Sequence, residues 1–485
     1  MKPLLPSLAF ALLGFTGLSG ATPPPAPYGA VPSARQLAWH QLGTYAFVHF
    51  TVNTFTDREW GLGDESEKVF NPSDFSAEQI VATVKAAGLA GLILTCKHHD
   101  GFCLWPSRYS EHTIAKSPYR NGQGDLVREI SDACAKAGIK FGIYLSPWDR
   151  NRADYGKPSY IEYYRNQLRE LLTNYGPIFE VWFDGANGGD GYYGGARETR
   201  HIDNTTYYDW PNTWKIVREL QPNAVLFSDG GPDVRWIGNE KGRAGDPCWA
   251  TINADGFFPG HADHLETGDR DGASWIPGES DISIRPGWFY HASEDTLVKS
   301  PAELFSVYLD TVGRGTNLIL NLAPDRRGRI PDQDVASVTQ WQRMRKETFD
   351  KNLVAGAKVH ATNVRGNDTQ FSAVHVVDGD RNTYWATDDD VRASKLIFEL
   401  DGPRTFDLVQ LAEYLPLGQR IWEARLDYFD SISEDWKEFA AVSSIGAQRL
   451  VPCPIISTSR VRLRILRCGV APTLADFGLF LRARP

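Results

Sequence analysis

The stretch 91-GLILTCKHHDGF-102 decides the fold. Its first five residues form an apolar run, which predicts a strand buried on both faces, as in a parallel sheet. The run gives way to a polar segment, Lys97–Phe102, in which two histidines, an acid and a glycine lie where the strand ends. Barrels of parallel strands carry their active sites at this edge, because the loops there vary on a rigid scaffold.

Apolar runs alternate with helical patterns on both sides of this stretch, from about residue 40 to residue 345. The predicted strands are Tyr45–Phe50, Gly91–Thr95, Phe141–Leu145, Ile178–Phe183, Ala224–Ser228 and Asn317–Leu322, and the predicted helices are Ser76–Ala87, Asp125–Ala137, Tyr160–Asn174, Thr213–Leu220 and Pro301–Val312. This alternation favours an α/β fold, a (β/α)8-like TIM barrel, over a doubly wound sheet. No G-x-G-x-x-G motif follows the first strand, which also disfavours a dinucleotide-binding fold. The stretch Asp233–His291 is interpreted as long loops over the site, so barrel strands six and seven are not located.

The chain of 485 residues is too long for one ordinary domain, and its pattern changes after about residue 350. Alternating apolar and polar residues there predict strands at Lys395–Leu400, Leu408–Leu415, Ala424–Phe429 and Val461–Leu466. Such a pattern is typical of a β-sandwich, here a jelly-roll. We therefore expect a barrel catalytic domain over residues 22–349 and a sandwich over residues 350–485, with the boundary near Asp350–Val359.

The first 21 residues have the pattern of a signal peptide. Met1-Lys2 supplies a positive start, Leu4–Leu18 is mostly apolar, and Ser19–Ala21 is a small-residue cleavage site. The apolar stretch is too short to span a membrane, and no later stretch reaches that length. The expectation is an exported protein, periplasmic or secreted.

Charge disfavours two classes of partner, and the cysteine content disfavours disulfide bonds and a zinc site. The formal net charge of −9, without a basic run, argues against nucleic acid or an anionic membrane surface. Six cysteines are too few for a disulfide framework in a chain of this length. They also lack the paired C-x-x-C spacing of a zinc site. Small buried residues are therefore the preferred interpretation, although Cys453 and Cys468 could bridge locally.

Two acids near strand ends are candidates for catalysis. Asp184 follows the run Ile178–Phe183 between aromatic residues and glycines, and Glu240 follows the fifth predicted strand. A pair of carboxylates in an aromatic pocket is what glycoside hydrolysis requires, with a separation of about 5–5.5 Å for a covalent intermediate. Apolar walls would raise the pKa of one acid and leave the other ionised. A helix cap or an ion pair is the commoner role of a single acid at a strand end, and for either residue alone it stays open.

Adjacent histidines raise a metal-dependent alternative, a hydrolase in which His98, His99 and Asp100 hold a metal ion. Adjacent residues on an extended strand point to opposite faces, however, and therefore chelate one ion poorly. Hydrogen bonds between neutral imidazoles and sugar hydroxyls suit the pair better. No metal site is predicted, and metal-dependent hydrolysis stays an alternative.

Motifs in order along residues 40–345 carry a family resemblance: YAFVHF with His49, Glu59-Trp60-Gly61, KHHDGF, GIYLSPWD, VWFDG and 284-IRPGWFY-290. Together they resemble glycoside hydrolase family 29, the α-L-fucosidases. The resemblance implies a retaining exo-α-L-fucosidase that needs no cofactor, with Asp184 as nucleophile and Glu240 as acid/base. The residues that it implies around fucose are His49, His98, His99, Tyr144 and Trp182, with Glu59, Trp60, Trp148 and Trp288 close by. Either Trp60 or Trp288 would pack against the methyl group of the sugar.

The segment 231-GPDVRWIGNE-240 is similar to the subfamily that removes α-1,3- and α-1,4-linked fucose from branched, Lewis-type glycans. Fucosylated oligosaccharides or glycoconjugates are then the expected partners. A Gly-rich insertion, Gly185–Gly195, departs from the family pattern and could reshape the leaving-group side. A fucosidase of broad linkage specificity and a fucose-binding lectin without catalysis remain as alternatives.

The C-terminal part carries its own motif, 377-VDGDRNTYW-385. It looks like that of discoidin-type (coagulation factor 5/8 type C) domains, the fold of family 32 carbohydrate-binding modules. The resemblance implies a β-sandwich that either binds sugar or braces the barrel, and bracing is the preferred interpretation. It also allows a structural calcium ion near Asp378 or Asp380.

Overall fold

The computed structural model of the protein describes residues 21–257, 260 and 262–484. The predicted signal peptide lies outside the described residues except for Ala21. No helix in the described part of the chain is long and apolar enough to cross a membrane.

Eight parallel strands close into a barrel, in the spatial order β1-β8-β7-β6-β5-β4-β3-β2. They are β1 Thr44–Val48, β2 Gly91–Lys97, β3 Lys140–Leu145, β4 Ile178–Trp182, β5 Val225–Ser228, β6 Val234–Trp236, β7 Gly278–Ser283 and β8 Asn317–Asn321. The helices of the described residues are α1 Ala34–His40, α2 Val52–Thr56, α3 Ala77–Ala86, α4 Leu126–Ala137, α5 Pro158–Asn174, α6 Trp210–Leu220, α7 Pro301–Asp310 and α8 Asp332–Phe349. The predicted TIM-like α/β barrel is confirmed.

Local sequence explains where the helices begin and end. Ser76 caps α3, because its hydroxyl accepts a hydrogen bond from the backbone N–H of Gln79 at 3.1 Å. Asp125 caps α4 in the same way, and α4 ends at Gly138, whose φ of 72° suits glycine. The predicted boundaries of these two helices differ from the observed ones by at most one residue at either end.

The sixth and seventh barrel strands lie inside the stretch Asp233–His291, which was interpreted as long loops and in which the sequence did not locate these two strands. Strand β6 has three residues, and β7 (Gly278–Ser283, GESDIS) carries polar side chains although all six of its residues are buried. Neither strand has the apolar run that marks the others. As a consequence Glu240 follows the sixth strand and not the fifth, and β5 lies between the strands that carry Asp184 and Glu240.

Residues after α8 form an antiparallel sheet, as the alternation predicted. Its strands are β9 Lys358–Ala361, β10 Ser394–Ala412, β11 Ile421–Asp430, β12 Asp435–Val442, β13 Arg449–Cys468 and β14 Asp476–Phe480, in the order β9-β10-β13-β11-β12 with β14 paired to β10. The predicted strands Lys395–Leu400 and Leu408–Leu415 belong largely to the single strand β10, which is irregular between Glu399 and Leu408. Short strand pairs elsewhere join Gly189–Gly191 to Glu198–Arg200, Thr251–Ile252 to Ser274–Trp275, and Trp385–Ala386 to Thr473–Leu474.

The C-terminal sheet packs against the barrel through an apolar patch and a polar contact. Leu408, Leu450 and Phe480 contact Tyr308, Leu309 and Phe349. The polar contact holds the loop that follows Glu240. Arg449 forms an ion pair of 2.7 Å with Asp246 of this loop, and the Ser444 hydroxyl accepts a hydrogen bond from the backbone N–H of Cys248 at 3.1 Å. The second domain thus contacts the loop that follows β6 at the carboxyl end of the barrel.

All six cysteines are free and buried, as expected from their spacing. Burial raises the pKa of the Cys453 thiol to about 12 and also raises that of Cys468. They are not bridged, and they act as small core residues.

Candidate active site

Asp184 lies two residues beyond the end of β4 (Ile178–Trp182), at the carboxyl end of the barrel. Its Oδ2 accepts a hydrogen bond from the Tyr144 hydroxyl at 2.8 Å, and its Oδ1 accepts from the backbone N–H of Ala186 at 2.7 Å. His99 Nε2 lies 3.8 Å from Oδ2. The side chain is 23% exposed, so the carboxylate is fixed in orientation but open to a ligand.

Glu240 lies four residues beyond β6 (Val234–Trp236). Its Oε2 accepts a hydrogen bond from the Trp288 indole at 3.2 Å. Burial raises the pKa of this carboxyl, and the charges of Asp184 and Glu59 raise it further, against the lowering effect of the Trp288 bond. A raised pKa favours the protonated form that a general acid needs.

Three histidines at the site are held in the neutral form. Burial lowers the pKa of His49 to about 3 and that of His99 to about 4, and it lowers that of His98 as well. The Nδ1 of His49 bonds Asn321 Oδ1 at 2.8 Å, and the Nδ1 of His99 bonds the Ser146 hydroxyl at 2.7 Å. Because Ser146 donates its own proton to the carbonyl of Trp148, His99 must donate from Nδ1. The Nε2 of a neutral His99 is then an acceptor on the side of Asp184.

His98 and His99 lie on the same side of the barrel edge. Strand β2 ends at Lys97, so the alternation of an extended strand does not apply to them, and their ring centroids are 4.1 Å apart. The argument from opposite faces was wrong for this reason. Asp100 is engaged elsewhere, by the Thr51 hydroxyl at 2.8 Å and the Phe102 N–H at 2.7 Å. The described residues contain no group of three or more His, Cys, Asp or Glu placed to hold a metal ion.

Aromatic rings complete a pocket of about 290 Å³. Trp182 forms part of its floor, stacked on Phe227 with ring centroids 4.1 Å apart. Trp60 is 51% exposed and stands edge-on to His99 and Trp148 at the mouth. The residues that line this pocket are Phe47, His49, Trp60, His98, His99, Tyr144, Trp182, Asp184, Ala186, Glu240, Asp281 and Trp288.

Glu59 and Trp148 are predicted site residues that do not line the pocket. Glu59 instead accepts hydrogen bonds from the backbone N–H groups of Trp288 at 2.9 Å and Phe289 at 3.1 Å, and His291 Nε2 lies 2.7 Å from it. The Trp148 indole donates to the Tyr193 hydroxyl at 2.9 Å. Glu59 therefore holds the Trp288 wall of the pocket from behind, and Trp148 packs against two rings of the lining, those of His99 and Trp60.

A second cavity, of about 370 Å³, adjoins the first. The two share Trp182, Asp184, Ala186, Glu240 and Asp281, and the second also has Gly185, Asp229, Trp236, Gly260, Ala262 and Leu265 in its lining. Sequence reasoning missed Phe47, Asp229, Trp236 and Asp281. The position of Asp229 directly after β5 was a usable signal, since Asp184 follows β4 in a similar way, whereas the polar strand of Asp281 gave none.

Below the pocket, Glu180 and Glu279 lie side by side inside the barrel, and both are fully buried. Burial raises the pKa of both carboxyls. Glu279 accepts hydrogen bonds from the Trp182 indole at 2.8 Å and from the Tyr45 hydroxyl, and Glu180 accepts from the Trp39 indole at 3.1 Å. This carboxyl pair therefore fixes the indole that forms the floor of the pocket.

A closed barrel with two carboxyls, neutral imidazoles and indoles around a small pocket at its carboxyl edge defines a barrel glycoside hydrolase. The family model for alpha-L-fucosidase matches residues 30–346. Alpha-L-fucosidase 1 of Arabidopsis thaliana is 38% identical over 483 residues, which cover 97% of this chain and 92% of the plant protein.

Solved structures agree with the sequence comparisons. A glycoside hydrolase 29 family member from an unknown rumen bacterium is 40% identical with a TM-score of 0.85, over 95% of this chain and 78% of that one. A Ruminococcus gnavus GH29 fucosidase in complex with fucose is 32% identical with a TM-score of 0.87, over 97% of this chain and 98% of that one. The chain belongs to the α-L-fucosidase family, glycoside hydrolase family 29.

Proposed function

We propose that this protein is a retaining exo-α-L-fucosidase that removes terminal α-1,3- or α-1,4-linked L-fucose from branched, Lewis-type oligosaccharides or glycoconjugates. The observation that supports it most is the position of Asp184 and Glu240, which line both cavities at their junction. The first cavity has room for one sugar ring and the second receives the leaving group. The fucose found in the Ruminococcus gnavus relative supports the choice of sugar.

The proposed reaction proceeds by double displacement. Asp184 attacks the anomeric carbon while Glu240 gives its proton to the glycosidic oxygen, so that the leaving sugar departs and a fucosyl ester forms. Glu240, now ionised, takes a proton from water, and the resulting attack on the anomeric carbon releases fucose and frees Asp184. The raised pKa of Glu240 suits the first step. The Tyr144 hydroxyl keeps Asp184 aimed at the pocket in both steps.

Fucose binding is assigned to the neutral imidazoles and the indoles. A neutral imidazole both donates and accepts a hydrogen bond, which matches the hydroxyls of a sugar. His49, His98 and His99 supply these contacts, while Trp60 or Trp288 packs against the methyl group. Glu59 and Trp148 act indirectly, Glu59 through Trp288 and Trp148 through its ring contacts with His99 and Trp60.

The remaining assignments rest on the contacts of the second domain and on sequence pattern. The domain over residues 350–485 is proposed to be discoidin-like and to brace the barrel over residues 22–349, which the Arg449–Asp246 ion pair supports. Asp378 accepts from the Asp380 N–H at 2.8 Å and from the Thr383 hydroxyl at 2.7 Å. A calcium ion near these residues stays a prediction, as does export of the protein. No cofactor is proposed for the reaction.

The test is to incubate the purified protein with a Lewis-type trisaccharide, a 1,2-linked fucosyl-lactose and an aryl α-L-fucoside, and to quantify free fucose. Release mainly from the trisaccharide supports the 1,3/1,4 assignment. Release from all three keeps the fucosidase and discards the linkage preference. No release from any of them, with the protein folded, would favour a fucose-binding lectin. The anomeric form of the first-released fucose, followed by NMR, tests retention of configuration.

A further inference from the structure

Strand β7 (Gly278–Ser283) places two carboxyls on the inner face of the barrel, and each accepts a hydrogen bond from an indole. Glu279 and Asp281 are two residues apart and therefore share a face of the strand. Glu279 bonds the Trp182 indole at 2.8 Å, and Asp281 Oδ1 bonds the Trp236 indole at 2.8 Å. Trp236 lines the second cavity and not the first, whereas Asp281 lines both, so the indole lies on the leaving-group side and Asp281 lies where the two cavities meet.

The second cavity is rich in acids. Asp184, Asp229, Glu240 and Asp281 all line it, and the lining residues in the described part of the chain include no lysine or arginine. Such a lining disfavours an anionic group on the leaving sugar, because the acids would repel it. The indole of Trp236 and the side chain of Leu265 give the cavity an apolar wall, on which a neutral sugar ring can pack.

We propose that Asp281 and Trp236 form a leaving-group subsite for a neutral sugar, in which Trp236 packs against the ring and Asp281 binds a hydroxyl. The inference rests on the proposed function, since it names residues that recognise the sugar to which fucose is joined. Asp281 would act as a specificity residue, and Trp236 would be kept in position by its bond to Asp281.

The protonation state of Asp281 suits this role. The side chain is buried, at 3% exposure, and burial together with the charge of Glu240 raises its pKa well above the usual range. The titratable groups that face it are Glu240 across the cavity and Glu279 on its own strand, with Asp184 and Asp229 in the same lining. Trp236 occupies Oδ1, and no bond among the described residues engages Oδ2, so a protonated Oδ2 can donate to a hydroxyl.

The experiment compares the Lewis-type trisaccharide with α-L-fucosyl fluoride, whose leaving group is a single atom and leaves the second cavity empty. Asp281→Leu is expected to lower kcat/KM for the trisaccharide about tenfold, because a hydrogen bond to substrate and the support of Trp236 are lost together. Asp281 also lines the fucose pocket, so the loss on the trisaccharide should be larger than the loss on the fluoride. The matched control is Trp236→Phe, because the Trp236 indole lines only the second cavity, and its hydrolysis of the fluoride should change by no more than about twofold. Trp236→Phe keeps a ring but removes the N–H, and we expect a smaller loss, confined to the trisaccharide.

The Asp281→Asn variant tests whether Asp281 acts as a protonated acid or as a charged carboxylate. The amide keeps an acceptor for Trp236 and a donor for the sugar, so trisaccharide hydrolysis should stay within about threefold of wild type. The alkaline limb of the kcat/KM profile, which reports Glu240, should not move, because no charge is removed.

Three results would overturn the inference: equal losses on both substrates in Asp281→Leu, no loss on either, or a shift of the alkaline limb in Asp281→Asn. If Asp281→Leu does not fold, Trp236→Phe and Asp281→Asn decide the question by the same two readouts. A folded wild-type protein that hydrolyses neither substrate would refute the proposed function itself, which none of the three results does.

Discussion

Replacing Glu180 by glutamine is expected to make the protein more stable at alkaline pH, because it removes one member of the carboxyl pair buried in the barrel. Burial raises the pKa of Glu180 and Glu279, and the charge of Glu279 raises that of Glu180 further. The folded pair therefore keeps a proton at pH values where the glutamates of the unfolded chain, with pKa values near about 4.3, have lost theirs. One oxygen of Glu180 is also buried without a hydrogen-bond partner among the described residues.

The magnitude follows from proton linkage. A group whose pKa is raised in the folded state contributes stability that is complete below the unfolded pKa and is lost as the pH rises towards the folded pKa. Each proton that the folded protein retains lowers the free energy of unfolding by about 1.4 kcal/mol per pH unit in this window, or by ~2.7 kcal/mol from pH 6 to pH 8. For a barrel of about 310 residues, with an unfolding entropy of about 2.1 cal/mol/K per residue, this corresponds to ~4 °C in Tm.

The assay is calorimetry from pH 5 to pH 9 on the wild type, on Glu180→Gln and on a control, Glu162→Gln, which alters an exposed residue of α5 (Pro158–Asn174). The Tm of the Glu180 variant minus that of the wild type should grow by about 4 °C from pH 6 to pH 8. For the control the difference should stay constant with pH. A Glu180 difference that is flat or falls with pH would show that the pair retains no proton and would refute the reasoning.

Four further substitutions test the catalytic groups and their supports. Asp184→Ala should lower kcat by at least about 10⁴ with an unchanged circular dichroism spectrum, and a folded variant of near-normal rate removes Asp184 from its role. Glu240→Ala should lose activity mainly on poor leaving groups and regain rate with azide as fucosyl azide; equal losses on aryl fucosides and glycans point to another acid. Tyr144→Phe removes the donor to Asp184, and steady-state kinetics should show kcat lower by about 10–100-fold with KM little changed; a change in KM alone contradicts this. Arg449→Met breaks the pair with Asp246, and we expect lower trisaccharide activity and a Tm lower by a few degrees, whereas a wild-type Tm would mean that the pair supports nothing.

The sequence was most informative where an apolar run ends in a polar motif. Strands β1 to β5 and β8 were predicted because parallel strands buried on both faces need continuous apolar residues. Strand β7 could not be found this way, since its inner face carries Glu279 and Asp281, whose burial depends on indoles from other strands. A residue whose burial depends on partners far away in the sequence leaves no local pattern in the chain.

The same distinction holds for the candidate site. Asp184, His98 and His99, which line the pocket, were candidates because each lies within four residues of the end of a predicted strand and within a specific motif. Glu59 was predicted to lie close to the sugar, but it does not line the pocket. Its carboxylate accepts hydrogen bonds from the backbone of Trp288 and Phe289, which lie 229 and 230 positions further along the chain. Sequence motifs identify residues that a site needs, and the structure is required to separate those that touch the ligand from those that position them.

The two catalytic candidates differ in what holds them. Asp184 lies two residues beyond the barrel strand β4, and its hydroxyl donor, Tyr144, belongs to the neighbouring strand β3 (Lys140–Leu145). Glu240 lies in a loop whose later residues are tied to the C-terminal sheet through Asp246 and Cys248. The position of Asp184, the proposed nucleophile, is therefore set by the barrel, whereas that of Glu240, the proposed acid/base, also depends on the second domain. Loss of that domain should then impair protonation of the leaving group before it impairs attack on the sugar, which gives the bracing role a functional consequence.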